Sequence, residues 1–216
     1  MNTDFARRQM VKQQARAWEV LDEDVLTVLN DVPREQFVPA GFESLAFADT
    51  EIPIGHGQKM MTPTIEGRVL QALRLTGAEN VLELGTGSGF LTACLANLSA
   101  SVTSIDIYGD FLKAAEESLA GCGIDNVDLV EMDGTQQLPE GRFDAIAVTG
   151  SIQTFDPRFV DALSIGGRLF VVVGNSPAMH VRLVQRTGES DSQGETLFET
   201  ALLPLINGAL PPQFSF

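Results

Sequence analysis

The sequence has few of the residues that build metal centres or disulfide frameworks. Its two cysteines, Cys94 and Cys122, and its two histidines, His56 and His180, lie far apart along the chain. Neither pair has the spacing of a zinc site, and two cysteines cannot supply a disulfide framework. We therefore expect a protein that holds no metal.

Long apolar runs are absent too. No stretch reaches the roughly 18 apolar residues that a transmembrane helix requires. The N-terminus is charged and polar, with Asp4, Arg7, Arg8 and Lys12, and lacks the apolar core of a signal peptide. A cytoplasmic protein without a membrane partner is the expectation from these features.

Cationic side chains are scarce relative to acidic ones. The chain has 14 lysine and arginine residues against 29 aspartate and glutamate residues, which gives a net charge of −15. A surface of this sign repels phosphate backbones, so nucleic acid is not an expected partner. The length of 216 residues suits one domain with an extension, and 44% hydrophobic residues can form a sizeable core.

The first third of the chain is predicted to be mainly helical, because its apolar residues recur at helical spacing. Helices are predicted over residues 4–20, over Glu23–Asp31 with Asp22 as N-cap, around Glu43–Ala48 and over 64–75. Residues 33–39, bounded by two prolines, form a connector. Residues 50–63 hold two glycines and two prolines and are predicted to form a long loop. Loops of this length in compact domains are often functional.

From residue 79 onwards the pattern alternates between apolar strands and helices. Strands are predicted at Asn80–Leu84, Ser101–Ile105, Val127–Met132, Phe143–Val148 and Arg168–Val173, with helices at 89–98, 110–120 and 156–163. These strands are almost wholly apolar, as parallel strands covered on both faces are. Two later segments, His180–Thr187 and Thr196–Leu205, have a period of two and predict an antiparallel hairpin.

The fold class predicted from these elements is α/β. We expect a doubly wound, mostly parallel seven-stranded sheet with an antiparallel C-terminal edge and an N-terminal helical extension. The predicted divisions are 1–75 for the extension and the loop, 76–210 for the core and 211–216 for a loose tail.

The segment Val81–Phe90, VLELGTGSGF, is a strand that feeds a helix through a glycine turn. Glycines at 85, 87 and 89 let the backbone approach a ligand closely, and the helix N-terminus presents free N–H groups. The spacing is G-x-G-x-G, whereas dinucleotide-binding loops have G-x-G-x-x-G. No Walker lysine follows, so the sequence disfavours both an NAD oxidoreductase and an NTPase.

Three further signals lie at the ends of successive strands. Asp106 can accept hydrogen bonds from both ribose hydroxyls, and Asp133-Gly134 suits the exocyclic amine of adenine. The small residues Thr149-Gly150-Ser151 leave room for a ligand. Together they favour a cofactor with ribose and adenine but no pyrophosphate, and S-adenosylmethionine fits. Its carboxylate and ammonium can meet the glycine-turn backbone, and Glu83 or Asp106 supplies negative charge nearby.

Several segments of the chain resemble one family. The core is similar to class I S-adenosylmethionine-dependent methyltransferases, and the flanks are similar to the protein-L-isoaspartate O-methyltransferase branch. The matching segments are Gln9–Val11, VPREQFVP at 32–39, the run ending in IPIGHGQ at 49–58, VLELGTGSGF at 81–90, Asp133-Gly134, FDAIAVTG at 143–150 and GGRLFVVVG at 166–174. The resemblance implies a Rossmann-like fold and an enzyme that methylates the carboxylate of isoaspartyl residues in damaged proteins.

The resemblance also implies roles for individual residues. The glycine-turn residues would contact the methionine part of the cofactor, Asp106 the ribose, and Asp133 with Gly134 the adenine. The full set of cofactor candidates is Glu83, Gly85, Thr86, Gly87, Gly89, Asp106, Ile107, Asp133, Gly134 and Thr149. The substrate-binding candidates are Ile54, Gly55, Gln58 and Met60.

The chain departs from the family pattern in the predicted loop. The family usually continues Gly-Gln-Thr-Ile-Ser-Gln-Pro, whereas residues 57–63 read GQKMMTP. The family's serine falls on Met61 and its glutamine on Thr62, which makes these two the candidate catalytic positions. Methionine cannot donate a hydrogen bond to a substrate carboxylate. Either Thr62 or Thr64 replaces the hydroxyl, or Met60 and Met61 line an apolar pocket for another acceptor.

Three functions therefore stay open at this point. The first is an isoaspartate methyltransferase, whose partner is a protein or peptide. The second is a methyltransferase of the same family with a small or apolar acceptor. The third is a non-catalytic protein that binds S-adenosylmethionine. The sequence does not define an oligomeric state.

Overall fold

The structure is a computed structural model that describes residues 3–208. The predicted tail at 211–216, and residues 209–210 of the predicted core, lie outside this range. Within the described range, no helix is both long enough and apolar enough to cross a membrane. The division of the chain at residue 75 stays a prediction.

The N-terminal segment is helical, as predicted, but not uniformly so. Helix α1 (Thr3–Gln9) continues into a π-helical stretch over Met10–Ala15 and a 3₁₀ turn over Arg16–Trp18. The wider π turn buries Met10, Val11 and Ala15, and a left-handed Glu19 ends the helix with φ of 63°.

Helix α2 (Glu23–Asp31) begins where predicted, because the Asp22 carboxylate accepts hydrogen bonds from the amides of Asp24 and Val25. Short 3₁₀ turns follow at Arg34–Gln36 and Glu43–Leu45. The second of these is shorter than the helix predicted around Glu43–Ala48.

The prediction of a loop over residues 50–63 was wrong, because this segment contains a β-hairpin. Strand β1 (Ile52–Gly55) pairs antiparallel with β2 (Gln58–Met60). The turn residues His56 and Gly57 both have positive φ, 50° and 71°. A two-residue turn of this kind has the twist that antiparallel strands need. Helix α3 (Pro63–Leu73) follows, with Thr62 as its N-cap.

The remaining elements alternate along the chain as expected and form one seven-stranded sheet. Their bounds are β3 Asn80–Leu84, α4 Phe90–Leu98, β4 Ser101–Asp106, α5 Gly109–Gly121, β5 Val127–Glu131, β6 Phe143–Ile152, α6 Arg158–Asp161, β7 Leu163–Asn175, β8 Ala178–Arg186 and β9 Ser192–Thr200. The strand order is β5-β4-β3-β6-β7-β8-β9. The neighbouring strands from β5 to β7 in this order pair in parallel. Strand β8 pairs antiparallel with both β7 and β9. The predicted fold class is confirmed.

Side chains alternate between the two faces of the sheet. On one face, Val81, Ala145 and Ala147 join a core that includes α3, α4 and the N-terminal helices. On the other face, Leu82 and Ile146 belong to a second core with Phe159. The N-terminal segment thus packs on the same face as the helix that follows the glycine turn.

Several details of the C-terminal half differ from the prediction. Strands β6 and β7 extend beyond their predicted ranges, and β9 begins at Ser192 rather than Thr196. Helix α6 is a single turn, shorter than 156–163, and β5 at the sheet edge has exposed charged residues. Strand β9 ends at Thr200 rather than 205, because the chain then turns back towards β6. There Leu203 accepts a hydrogen bond from the amide of Ser151, and Leu205 donates one to the Ser151 carbonyl.

Candidate active site

A cleft lies at the carboxyl ends of strands β3, β4 and β6. A crevice beyond these strand ends, where the strand order reverses, is the usual ligand site of an open α/β sheet. Most predicted site residues line it, namely Ile54, Gln58, Met60, Met61, Glu83, Gly85, Thr86, Gly87, Asp106, Ile107, Asp133, Gly134 and Thr149. The predicted candidates outside its lining are Gly55, Thr62 and Gly89.

The glycine turn shapes the wall of the cleft. Gly85 has φ of 97°, and a Cβ there would collide with Thr149 Oγ1. That hydroxyl donates to the carbonyl of Leu84 at 2.7 Å and so ties β6 to the turn. The amides of Gly85 and Gly87 donate to Ile105 O and Asp106 Oδ2. The glycines at 85 and 87 therefore provide space beside a ligand rather than free amide donors.

Glu83 is a fully buried carboxyl beneath the glycine turn. Its Oε2 accepts hydrogen bonds from Thr92 at 2.5 Å and Ser104 at 2.6 Å. Its Oε1 has no partner among the described residues. Burial raises the pKa of Glu83 to about 7. A buried acceptor without a partner, on the cleft wall, is suited to a ligand's ammonium group.

Asp106 ends β4 with its carboxylate almost buried. It accepts hydrogen bonds from the amides of Gly87 at 2.9 Å and Tyr108 at 3.0 Å. Burial raises the pKa of Asp106. A carboxylate offers about four lone-pair sites, so two neutral amide donors leave room for ribose hydroxyls.

Asp133, the residue expected to bind adenine, already accepts three hydrogen bonds from side chains and backbone nearby. Thr135 donates to Oδ1 through its amide and hydroxyl, and Asn207 Nδ2 donates to Oδ2 at 2.9 Å. Burial pushes the pKa of Asp133 up, but the hydrogen bonds from Thr135 and Asn207 hold it below the usual value. Asn207 thus occupies one of the two lone-pair sites of Oδ2, from which it would compete with an adenine amine.

The hairpin brings Met60, the last residue of β2, and the adjacent Met61 into the lining of the same cleft, and both residues are buried. The carbonyl of Met61 accepts a hydrogen bond from Nη2 of Arg34 at 2.7 Å. Arg34 is fully buried, forms an ion pair with Glu66 and lies 4.6 Å from the centre of the Phe90 ring. The position of Met61 is therefore fixed through its backbone. Burial raises the pKa of Glu66 to about 8, although the Arg34 charge opposes this shift.

The threonines that could have replaced the family's serine are occupied elsewhere. Thr62 Oγ1 accepts from the amide of Ile65 and lies 2.9 Å from Thr64 Oγ1. Thr64 in turn donates to Asp49 at 2.7 Å. Both hydroxyls stabilise the start of α3 and do not line the cleft.

Two groups of cleft residues were not identified from the sequence. Tyr108 and Phe111 line the cleft, and His56 at the hairpin tip stacks on Tyr108 with ring centres 4.0 Å apart. His56 Nε2 also lies 2.8 Å from Asp110 Oδ2, which joins the hairpin to the start of α5. The second group is Leu202–Ile206, which forms a wall of the cleft after β9. Tyr108 and Phe111 are close together in the sequence, but only the folded hairpin brings His56 into contact with them.

Comparison with known proteins decides the family. The model of the protein-L-isoaspartate(D-aspartate) O-methyltransferase family matches residues 6–209. The chain belongs to this family. The resemblance drawn from the sequence motifs is thereby confirmed.

Relatives within this isoaspartate methyltransferase family cover nearly the whole chain. "Protein-L-isoaspartate O-methyltransferase 1" of Rhodopseudomonas palustris (strain HaA2) is 39% identical over 94% of this chain and 85% of the relative. A relative named "Protein-L-isoaspartate O-methyltransferase" from Methanoculleus marisnigri is 38% identical over 86% of each chain.

A solved structure agrees in fold. It is a crystal structure of a Plasmodium falciparum protein-L-isoaspartate O-methyltransferase in complex with S-adenosyl-L-homocysteine. It has a TM-score of 0.79 and 21% identity, and the match covers 92% of this chain and 97% of the other. The enzyme class and cofactor predicted from the sequence are confirmed by the family membership. The protein is an S-adenosylmethionine-dependent O-methyltransferase.

Proposed function

We propose that this isoaspartate methyltransferase family member methylates the free α-carboxylate of isoaspartyl residues in proteins and peptides. The observation that carries the proposal is the continuity of the cleft. The same cavity is lined by the strand-end residues Glu83, Asp106 and Asp133 and by the hairpin segment Gln58–Met61. A cofactor at the strand ends and an acceptor at the hairpin would therefore meet.

The residues of the strand ends fit S-adenosylmethionine. Glu83 Oε1, buried and without a partner in the described chain, suits the ammonium group, and Asp106 keeps lone pairs for the ribose. Gly85, Thr86 and Gly87 would border the methionine part, with Gly89 setting the turn into α4. Ile107 and Gly134 would border the ribose and adenine. Asp133 Oδ2 would accept a hydrogen bond from the adenine amine if the Asn207 side chain moves away.

At the hairpin, the residues position the acceptor rather than remove a proton from it. A free carboxyl has a pKa of about 4, so the acceptor is already ionised near neutral pH. The bound cofactor supplies an electrophilic methyl group. Gln58, whose side-chain amide can donate a hydrogen bond, would hold the carboxylate in line with it, and Ile54, Met60 and Met61 would exclude water. Gly55 would set the hairpin turn, and Thr62 would fix the hairpin to α3. Positioning of this kind can supply roughly 7–11 kcal/mol in favourable cases.

A second acceptor class is supported by the apolar wall at the same place. Met60, Met61, Leu202 and Leu203 line the cleft there, and neither Thr62 nor Thr64 turns a hydroxyl towards it. A small or apolar acceptor would pack against such a wall better than a peptide carboxylate would. The proposal includes a cytoplasmic location, which cell fractionation would test.

The test of the function is methyl transfer from labelled S-adenosylmethionine to an isoaspartyl peptide. The matched control is the same peptide with an ordinary aspartyl linkage. We expect base-labile methyl ester on the isoaspartyl peptide alone. If neither peptide is labelled but a small hydrophobic acid or phenol is, the second acceptor class is correct. If calorimetry shows cofactor binding and no acceptor is labelled, the protein is a non-catalytic binding protein.

A further inference from the structure

The charge of the cleft lining poses a problem for an anionic acceptor. The described residues that line it include five carboxyl groups, those of Glu51, Glu66, Glu83, Asp106 and Asp133. The chain as a whole has a net charge of −15. Glu66 is paired with Arg34, and burial raises the pKa of Glu83 to about 7, so the repulsion of an approaching carboxylate comes mainly from Glu51, Asp106 and Asp133 and from the net charge. A cation near its path would offset this repulsion.

Lys59 is the single cationic side chain in that lining, within residues 3–208. Its Nζ lies 2.7 Å from Glu51 Oε2, and both residues line the cleft with partly exposed side chains. Arg34 is close by, but it is fully buried behind Met61 and paired with Glu66. Arg34 does not line the cleft, so Lys59 is the accessible positive charge that the described chain supplies there.

The place of Lys59 in the hairpin matches this role. It lies two residues before Met61, and two residues of extended chain span at most about 7 Å. A lysine side chain is flexible, with three donor hydrogens that can rotate from one carboxylate to another. Because the Lys59–Glu51 pair is partly exposed, exchange of Glu51 for another carboxylate has a small energetic cost.

We propose that Lys59 is the acceptor-specificity residue of this enzyme, which recruits the free carboxylate of the isoaspartyl residue by exchanging Glu51 for it. The proposal rests on the proposed function. Glu51 then acts as an internal competitor that occupies Lys59 when the cleft holds no acceptor. Neutral acceptors gain nothing from the exchange, so the pair selects for a negative charge at the hairpin end of the cleft.

The experiment measures binding without turnover. Wild type, Lys59→Gln and Glu51→Gln are saturated with S-adenosylhomocysteine and titrated calorimetrically with two peptides. One carries the isoaspartyl carboxylate, and the other carries the corresponding α-carboxamide. A partly exposed ion pair is worth about 0.2–1 kcal/mol, so we expect Lys59→Gln to weaken binding of the acid roughly 2- to 5-fold. Binding of the amide should not change.

The companion variants make the result specific. Glu51→Gln frees Lys59 and should tighten binding of the acid by a similar factor. Lys113→Gln is the matched control, because it changes the net charge equally at an exposed residue of α5 away from the cleft. Added salt should reduce the difference in acid affinity between wild type and Lys59→Gln, since salt screens exposed charges.

Two outcomes would overturn the role of Lys59 while leaving the proposed function intact. In one, Lys59→Gln binds the acid as tightly as wild type does. In the other, Lys59→Gln loses affinity for the acid and the amide equally, which is the result expected from a general distortion of the hairpin. If wild type neither binds nor methylates the isoaspartyl peptide, the proposed function fails, and the role of Lys59 fails with it.

Discussion

Replacing Met61 with serine tests where the acceptor carboxylate lies. Met61 lines the cleft, and its carbonyl is held by Arg34 Nη2. The substitution changes only the side chain, so the backbone anchor should persist. The new hydroxyl would point into the acceptor end of the cleft and could donate to a carboxylate there.

Two opposing magnitudes follow from this geometry. A hydrogen bond to a charged group contributes about 1.5–3 kcal/mol, which corresponds to roughly a 10- to 150-fold rise in kcat/KM. Met61 is only 9% exposed, so loss of its apolar side chain should lower the free energy of unfolding by about 2 kcal/mol. The variant is therefore expected to be more active on isoaspartyl peptide and less stable.

Initial rates with labelled S-adenosylmethionine and the isoaspartyl peptide measure the first effect, and urea denaturation measures the second. Met61→Ala removes the same bulk without adding a hydroxyl, and Met60→Ser adds a hydroxyl one residue away. We expect neither to raise the rate. An equal gain in Met61→Ala would show that space, not hydrogen bonding, limits the reaction. No gain in Met61→Ser would mean that the carboxylate does not lie beside residue 61.

Three further perturbations have defined outcomes. Asp106→Ala should weaken cofactor binding roughly 10- to 150-fold in calorimetry, because two ribose hydroxyls lose their acceptor; unchanged affinity would place the ribose elsewhere. Folded Glu83 holds its proton more tightly than the unfolded chain does, so its contribution to stability is lost as pH rises from about 4.5 to about 7. Glu83→Gln should make the urea midpoint less dependent on pH over that range, and an unaltered profile would contradict the raised pKa. Asn207→Ala removes the donor that occupies Asp133 Oδ2 and should tighten cofactor binding a few-fold; weaker binding would show that Asn207 supports the site.

The fold and the cofactor end of the cleft were predictable from the sequence. Parallel strands bring their carboxyl ends to one edge, so the order of Glu83, Asp106 and Asp133 along the chain was enough to place them together. The apolar pattern also located β3 without error, from Asn80 to Leu84. Local pattern and topology were sufficient for these features.

The hairpin side of the cleft was less predictable, because short or exposed strands have little periodicity in their apolar residues. Strand β1 has four residues and includes Pro53, and β2 has three, so Thr50–Pro63 looked like a loop. Strand β9 begins with five exposed residues, so its start gives no period-two signal. Arg34 donates a hydrogen bond to the Met61 carbonyl, and Asn207 donates one to Asp133. Only tertiary structure brings such distant residues together.

The return of the chain after β9 has a consequence for biosynthesis. Leu202–Ile206 form a wall of the cleft, and Asn207 contacts Asp133 beside it. Proteins are translated from the N-terminus, and domains generally fold as units. A nascent chain that already contains the glycine turn, Asp106 and the hairpin thus still lacks one side of the cleft. The cofactor can be enclosed only after the segment up to Asn207 has been translated.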